Sequence, residues 1–217
     1  MTQGLFDGIG DTGYSNEPLA SGAAILRGFA LPQESEVIAA LNGVATKSPF
    51  RHMVTPGGHR MSVAMTNCGA LGWVTDKKGY RYEARDPATH AMWPPMPECF
   101  LRLGVSAAAE AGFPSFVPDA CLINRYEVGA KMSLHQDQDE HDFKQPIVSV
   151  SLGLPATFLF GGAKRNDKTL RVAVTHGDVV VWGGPARLNY HGVLPLKAGV
   201  HPLLGSYRFN LTFRKAG

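Results

Sequence analysis

The second half of the chain is built from short stretches of strand-forming residues, and this pattern most restricts the fold. From Ala120 onward, runs of β-branched and aromatic residues are separated by turn-forming sequences such as Gly-Gly, Asn-Asp and His-Gly-Asp. The predicted strands are Cys121–Tyr126, Lys131–His135, Ile147–Leu152, Thr157–Phe160, Leu170–Val174, Asp178–Trp182 and Tyr207–Phe213. Short strands at this spacing predict a double-sheet jelly roll or a small barrel.

The first half contributes two helices to this mainly β chain. Residues 23–29 are typical of a first strand, and apolar residues at helical spacing predict a helix over 33–45. A second helix is predicted from about Pro97 to Ala111, ending at Gly112. The expected fold class is therefore α+β, mainly β, with helices flanking a jelly-roll core.

In two segments of the first half, the apolar residues follow neither a helical nor a strand-like spacing over any length. Residues 1–22 are rich in Gly, Ser, Asn and Asp and are predicted to form a flexible N-terminal arm. Residues 48–95 are dense in Met, aromatic and basic residues, which favours a lid or substrate-recognition section with short strands of its own. We therefore expect one integrated domain over 23–217, with helices and lid in 23–119 and the core in 120–217.

Composition excludes several classes of protein. With 217 residues, 44% hydrophobic and 18% charged, the chain has the composition of one soluble globular domain. The net charge of +3 is compatible with a nucleic-acid partner but too small to argue for one alone. The N-terminus lacks a secretory signal, no stretch is long enough to span a membrane, and Cys68, Cys99 and Cys121 show no metal-binding spacing. We expect a cytoplasmic protein with no membrane partner, acting as a monomer.

Three residues form a candidate metal site. His135 and Asp137 are two positions apart, so both side chains point to one face of an extended strand end, and His191 lies far downstream. Two imidazoles and one carboxylate are the protein ligands of the facial triad that holds non-haem Fe(II) and leaves positions open. Single His-x-Asp sequences are common by chance, and six other histidines compete; His176, in a tight turn, is expected to make turn hydrogen bonds.

The last predicted strand alternates strictly between apolar and polar residues. Its apolar face carries Phe209, Leu211 and Phe213, and its polar face carries Arg208, Asn210, Thr212 and Arg214. One interpretation is an edge strand with a solvated polar face. The other is a buried face, where each arginine needs an anionic partner, and a dicarboxylate that chelates iron at one end would supply one.

The strand before the His-x-Asp sequence carries further polar residues. In Asn124-Arg125-Tyr126, the first and third side chains share a face, and both can reach a carboxylate.

Taken in order, these motifs resemble the AlkB family of Fe(II)/2-oxoglutarate dioxygenases, which repair alkylated nucleobases. The resemblance rests on N-R-Y, H-x-D-x-D-E, a distant His and R-x-N-x-T-F-R. Segments such as S-P-F-R-H-M-V-T-P-G-G and H-G-D-V-V-V-W-G-G are also similar to the bacterial members, so the resemblance runs from about residue 17 to the C-terminus. It implies a double-stranded β-helix, which is a jelly roll, with a nucleotide-recognition lid.

The resemblance also implies a ligand set. Iron would be held by His135, Asp137 and His191, and Arg208 would form the salt bridge to the distal carboxylate of 2-oxoglutarate. Arg214 would lie nearer the metal-chelating end. The full set implied for the co-substrate is Asn124, Arg125, Tyr126, Arg208, Asn210 and Arg214.

On the substrate side, the resemblance implies that Trp73 stacks on a flipped base, with the His135 ring on the other face. Tyr80 and Tyr82 would contact the nucleotide backbone, and Asp139 the exocyclic amine of the base. The other residues implied for the pocket are Arg165, Met65, Thr55 and Ser149. Without the resemblance, Trp73 is equally typical of a core aromatic, and Asp139 and Glu140 of a solvated turn.

The implied reaction is oxidative demethylation of 1-methyladenine and 3-methylcytosine in single- or double-stranded DNA and in RNA. It uses Fe(II), O2 and 2-oxoglutarate and releases formaldehyde, succinate and CO2. One departure is Gln138, where the best-known bacterial member has a lysine, and this change removes a cation beside the nucleic-acid backbone.

Two alternatives stay open at this point. The same iron and co-substrate sites would serve an oxygenase that acts on a protein side chain or a small molecule. A non-catalytic jelly-roll binding module would instead bind neither Fe(II) nor 2-oxoglutarate tightly.

Overall fold

The structure is a computed structural model, and it describes residues 14–217. The helices are α1 (Glu34–Lys47) and α2 (Glu98–Glu110). The first six strands are β1 (Ser15–Ala20), β2 (Ala23–Arg27), β3 (Arg51–Val54), β4 (Arg60–Gly69), β5 (Gly72–Asp76) and β6 (Gly79–Glu83). The remaining strands are β7 (Ala120–Tyr126), β8 (Met132–His135), β9 (Ile147–Gly153), β10 (Ala156–Phe160), β11 (Leu170–Val174), β12 (Val179–Trp182), β13 (His191–Val193) and β14 (Arg208–Arg214).

The strands form two main sheets and one separate hairpin. The large sheet has the order β1-β2-β12-β9-β14-β7-β4-β3, and the small sheet has the order β11-β10-β13-β8. Buried apolar residues of both sheets, such as Ile147 and Trp182 in the large one and Phe158 and Val193 in the small one, form a shared core. Antiparallel sheets packed in this way make the predicted jelly roll.

The outer face of the large sheet packs on the two helices. Phe209, Leu211 and Phe213 of β14 belong to the same apolar core as Leu41 of α1 and Leu103 of α2. Because side chains alternate along a strand, this packing turns the polar residues of β14 toward the small sheet. The helices thus fix which face of the large sheet is left for a binding site.

Strand β14 lies in the middle of the large sheet. Asn210 pairs with Asn124 of β7 on one side and with Ser151 of β9 on the other. All seven residues of the strand are buried. The interpretation of this segment as an edge strand with a solvated polar face is therefore wrong, and its two arginines lie in the interior.

Most predicted elements are confirmed to within two residues, but three differ. Residues 15–20 form β1, which pairs with β2, so the predicted flexible arm is wrong for that part, and residues 1–13 lie outside the described residues. In segment 48–95, β3 and β4 extend the large sheet, and only the β5–β6 hairpin stands apart. The strand His191–Val193 was not predicted. Among the described residues, no helix is long and apolar enough to cross a membrane.

Candidate metal centre and binding cavity

A cavity of about 630 Å³ opens between the two sheets. The polar face of β14 lines one wall, and residues from β8 and β13 of the small sheet line another. His135, Asp137 and His191, the predicted metal ligands, all line this cavity.

The triad is assembled by strand pairing. His135 ends β8 and pairs directly with His191 at the start of β13, and Asp137 follows two residues after β8. One donor atom from each of the three side chains lies within 4.8 Å of the others. Each imidazole Nε2 is 3.8 Å from a carboxylate oxygen of Asp137. This spacing is compatible with one ion bound to all three side chains.

Backbone carbonyls orient both imidazoles. Nδ1 of His135 is 2.8 Å from the carbonyl oxygen of Ser133, and Nδ1 of His191 is 3.0 Å from that of Asn189. A carbonyl oxygen only accepts, so each Nδ1 carries the proton, and each Nε2 presents its lone pair to the cavity. Metal-binding histidines are generally held by such contacts on the other ring nitrogen.

Burial and neighbouring charges set the protonation of the ligands. Burial, together with the nearby His135, lowers the pKa of His191 to about 4. Burial alone would raise the pKa of Asp137, but the charges of Arg214 and the two histidines hold it well below its usual range. At neutral pH the site therefore offers an anionic carboxylate and a neutral buried imidazole, the forms that bind a metal.

Arg214 is paired with the carboxylate ligand. Its Nε and Nη2 donate to Oδ2 of Asp137 at 3.1 and 2.8 Å. Nε also lies 3.2 Å from Oε1 of Glu140, whose Oε2 accepts a hydrogen bond from Arg187 at 2.9 Å. These four charged side chains, two of each sign, are buried together beside the metal centre.

Arg208 is buried without a carboxylate partner among the described residues. Its Nη2 donates to Ser151 at 3.1 Å, and its guanidinium lies 4.8 Å from the ring centre of Tyr126. Its Nε and Nη1 have no hydrogen-bond partner, and neither does Nη1 of Arg214. Unpartnered buried donors at two points of one cavity fit a ligand with two carboxylates, and the residues present therefore suit 2-oxoglutarate. Burial accordingly lowers the pKa of Arg208.

The substrate side of the cavity carries an aromatic wall. Trp73 and Tyr80 stack with ring centres 5.7 Å apart, and the Trp73 indole donates to Asp139 at 2.8 Å. The other predicted pocket residues, Thr55, Met65, Ser149 and Arg165, also line the cavity. On the co-substrate side, Asn124, Tyr126 and Asn210 line it as well.

Two predicted site residues lie elsewhere. Arg125 falls between two cavity-facing residues of β7, so its side chain points to the opposite face, where it packs 5.1 Å from the rings of both Phe50 and Tyr207. The prediction that Arg125 binds the co-substrate is wrong. Tyr82 does not line the cavity, and its hydroxyl donates to Glu140 at 2.6 Å. Its contact with a nucleotide backbone stays a prediction.

The sequence patterns missed three residues that support the site. Glu140 and Arg187 form a buried pair, so the solvated-turn interpretation is wrong for Glu140. The side-chain amide of Asn67 exchanges two hydrogen bonds of 3.0 Å with the backbone of Trp73. Glu140 was within reach of sequence reasoning because it follows the metal motif, whereas Arg187 and Asn67 carried no signal.

The jelly roll with a His-Asp-His centre, and with arginine nitrogens beside it that have no hydrogen-bond partner, defines a 2-oxoglutarate-dependent iron oxygenase. The profile of the 2OG-Fe(II) oxygenase superfamily matches residues 22–214. The chain is 60% identical over 213 residues to the α-ketoglutarate-dependent dioxygenase AlkB of Escherichia coli K12, covering 98% of this chain and 99% of that protein. The chain therefore belongs to the AlkB family of these oxygenases.

Two further comparisons extend the family to eukaryotes. Human nucleic acid dioxygenase ALKBH1 is 32% identical over 124 residues, which cover 57% of this chain and 31% of that protein. The solved structure of OsALKBH1 superimposes with a TM-score of 0.80 at 29% identity, covering 93% of this chain and all of that one. The jelly-roll core is thus shared well beyond the bacterial relatives.

Replacing Arg208 with Met should weaken 2-oxoglutarate binding by about 10- to 100-fold, because a charge-assisted hydrogen bond contributes about 1.5–3 kcal/mol. The affinity for a divalent metal should stay within about twofold, since Arg208 does not contact the triad. Arg171→Met, at an exposed position of β11, is the matched control. Both affinities are measured by titration calorimetry with Mn(II), and a 2-oxoglutarate affinity equal to that of the control would place the co-substrate elsewhere.

The low pKa of His191 predicts a pH dependence of stability in the metal-free protein. Its folded pKa of about 4 lies below the ordinary 6.5, so the unfolded chain binds more protons between these values. The free energy of unfolding should fall as the pH drops from about 6.5 to 4, by up to about 3 kcal/mol from this residue. In urea unfolding, His191→Gln should lose this part of the slope; an unchanged slope would contradict the assignment.

Proposed function

We propose that the protein demethylates alkylated nucleobases in DNA and RNA by oxidation, with 1-methyladenine and 3-methylcytosine as substrates. The observation that carries this proposal is the aromatic wall of Trp73 and Tyr80 with Asp139, which lines the same cavity as the triad. When bound, Fe(II), 2-oxoglutarate and O2 supply the oxidation of the N-methyl carbon, which leaves as formaldehyde, with succinate and CO2 as the other products.

The wall suits a base that has left the helical stack. A damaged base inside a duplex must be extruded to reach an enclosed centre, and stacking on an aromatic ring offsets part of that cost. Stacking contributes about 1–3 kcal/mol per base and tolerates different bases. Trp73 supplies the ring face, and its backbone N–H and carbonyl are both hydrogen-bonded to the side-chain amide of Asn67.

Asp139 adds selectivity for charge. Its carboxylate lines the cavity beside the indole of Trp73 and favours a ligand that is cationic and carries an amino group. Adenine methylated at N1 and cytosine methylated at N3 have both properties. Human ALKBH1 is likewise named a nucleic acid dioxygenase.

The remaining side chains position the reactants and balance charge. His135, Asp137 and His191 hold the iron, and Arg208 binds the distal carboxylate of 2-oxoglutarate. Arg214 offsets the charge of Asp137 and offers its unpartnered Nη1 at the chelating end. The three described cysteines are free and buried, which supports a reducing, cytoplasmic setting, and one chain supplies the complete triad, which supports a monomer.

The decisive experiment incubates a 3-methylcytosine oligonucleotide with the protein, Fe(II), ascorbate and 2-oxoglutarate, followed by mass spectrometry. We expect loss of one methylene unit per lesion and an equal amount of formaldehyde. Trp73→Ala should slow demethylation by about 10- to 100-fold, since it removes the stacking surface, while 2-oxoglutarate oxidation without substrate continues.

The same assay with single-stranded DNA, duplex DNA and RNA compares the demethylation rates on the three kinds of strand. Trp73→Phe, which keeps a ring face at the same position, is the control for loss of stacking and should slow demethylation less than Trp73→Ala. If no oligonucleotide stimulates succinate release while a peptide or small-molecule pool does, the nucleobase assignment is wrong.

A further inference from the structure

Glu140 has contacts that the proposed reaction does not use directly. Its side chain is 2% exposed and lies outside the cavity lining. Its Oε1 accepts from the hydroxyl of Tyr82 at 2.6 Å and lies 3.2 Å from Nε of Arg214, and its Oε2 accepts from Arg187 at 2.9 Å. A buried carboxylate satisfied on both oxygens is held in one orientation. Any effect of Glu140 on the reaction must therefore pass through these three partners.

Two of the partners hold the metal ligand. Two nitrogens of Arg214 donate hydrogen bonds to Oδ2 of Asp137, and Nη1 of Arg187 donates to the backbone carbonyl of Asp137 at 2.7 Å. Glu140 thus contacts both arginines, of which Arg214 holds the side chain of Asp137 and Arg187 holds its backbone. Its charge also keeps this buried group neutral overall, with two carboxylates facing two guanidiniums.

The third partner lies on the hairpin that carries the aromatic wall. Tyr82 lies on β6 directly opposite Trp73 of β5, and the two strands form the separate hairpin. The hairpin therefore meets the segment after the metal motif at two points, through Tyr82 to Glu140 and through Trp73 to Asp139. The Glu140 carboxylate therefore contacts the hairpin on one side and the arginines that hold Asp137 on the other.

We propose that Glu140 is a positioning residue that couples the Trp73 hairpin to Asp137 and Arg214, so that a base on the wall is held in reach of the oxidising centre. The part that concerns the base rests on the function proposed above. The coupling gives two distinct consequences. Removing the Tyr82 hydroxyl loosens the wall alone, whereas removing the charge of Glu140 disturbs the wall and the metal centre together.

Tyr82→Phe tests the link to the wall. We expect the ratio of formaldehyde to succinate to fall about threefold or more, because small misplacements of a reacting group lower its rate strongly. The visible charge-transfer band of the anaerobic Fe(II)–2-oxoglutarate complex should be unchanged. Tyr207→Phe is the matched control, since it removes a hydroxyl from a partly buried ring outside the cavity, and it should leave the ratio as it is.

Glu140→Gln tests the link to the metal centre. The amide cannot accept on both sides, so at least one arginine loses its partner, and we expect 2-oxoglutarate affinity to fall about fivefold or more, with a shifted band. Glu36→Gln, which alters only the exposed pair with Arg102, is the control. In the double variant, Tyr82→Phe should lower the product ratio less than it does alone, because both changes act through one contact.

Three results would overturn the proposal. One is a product ratio for Tyr82→Phe equal to that of Tyr207→Phe. Another is a Glu140→Gln protein that is less stable to heat yet keeps the native band and 2-oxoglutarate affinity, which would show a merely structural role. The third is full additivity in the double variant. If the unaltered protein releases no formaldehyde from methylated oligonucleotides, the proposed function fails instead, and the band and affinity still test the link to the metal.

Discussion

Two guanidinium groups buried on the central strand β14 are the constraint on which the rest of the site depends. A buried arginine is tolerated only with an anion or a full set of hydrogen bonds. Arg214 finds Asp137 and Glu140, and this pairing fixes one metal ligand as an anion. Arg208 finds no carboxylate among the described residues, and two of its nitrogens stay unpartnered. Arg214 therefore holds the carboxylate ligand of the metal centre, and Arg208 keeps free donors that can bind a carboxylate of 2-oxoglutarate.

The fold puts these charges in the interior by simple alternation. Apolar residues of β14 pack on both helices, so its polar residues must face the small sheet. The small sheet contributes His135 and His191 to the facing side of the cavity. They are directly paired on β8 and β13, although they lie 56 positions apart in the sequence. The β5–β6 hairpin then lies beside the cavity with its aromatic face. The jelly roll thus brings the metal ligands, the carboxylate-binding groups and the stacking surface into one space.

Those features of the fold and the site that depend on residue type and on the alternation of side chains along a strand could be predicted from the sequence. The candidate triad and the alternation of β14 follow from local pattern and ligand chemistry. The resemblance to the AlkB family was needed to prefer this triad over the competing histidines and to assign Arg208 and Arg214 to the two ends of 2-oxoglutarate. The same period-two rule shows that Arg125, between Asn124 and Tyr126, faces away, so that error was avoidable. The central position of β14 depends on pairing with β7 and β9, which no local pattern shows. The strand of His191 is only three residues long, and the Glu140–Arg187 pair joins residues 47 positions apart.

A crystal structure of the protein grown without oxygen, with Fe(II) and 2-oxoglutarate, would show whether the triad and Arg208 hold both ligands in one cavity. We expect one metal ion bound to Nε2 of His135, a carboxylate oxygen of Asp137 and Nε2 of His191. We also expect the distal carboxylate of 2-oxoglutarate to accept hydrogen bonds from the free nitrogens of Arg208. A metal bound through other side chains, or a co-substrate whose distal carboxylate lies away from Arg208, would contradict this expectation.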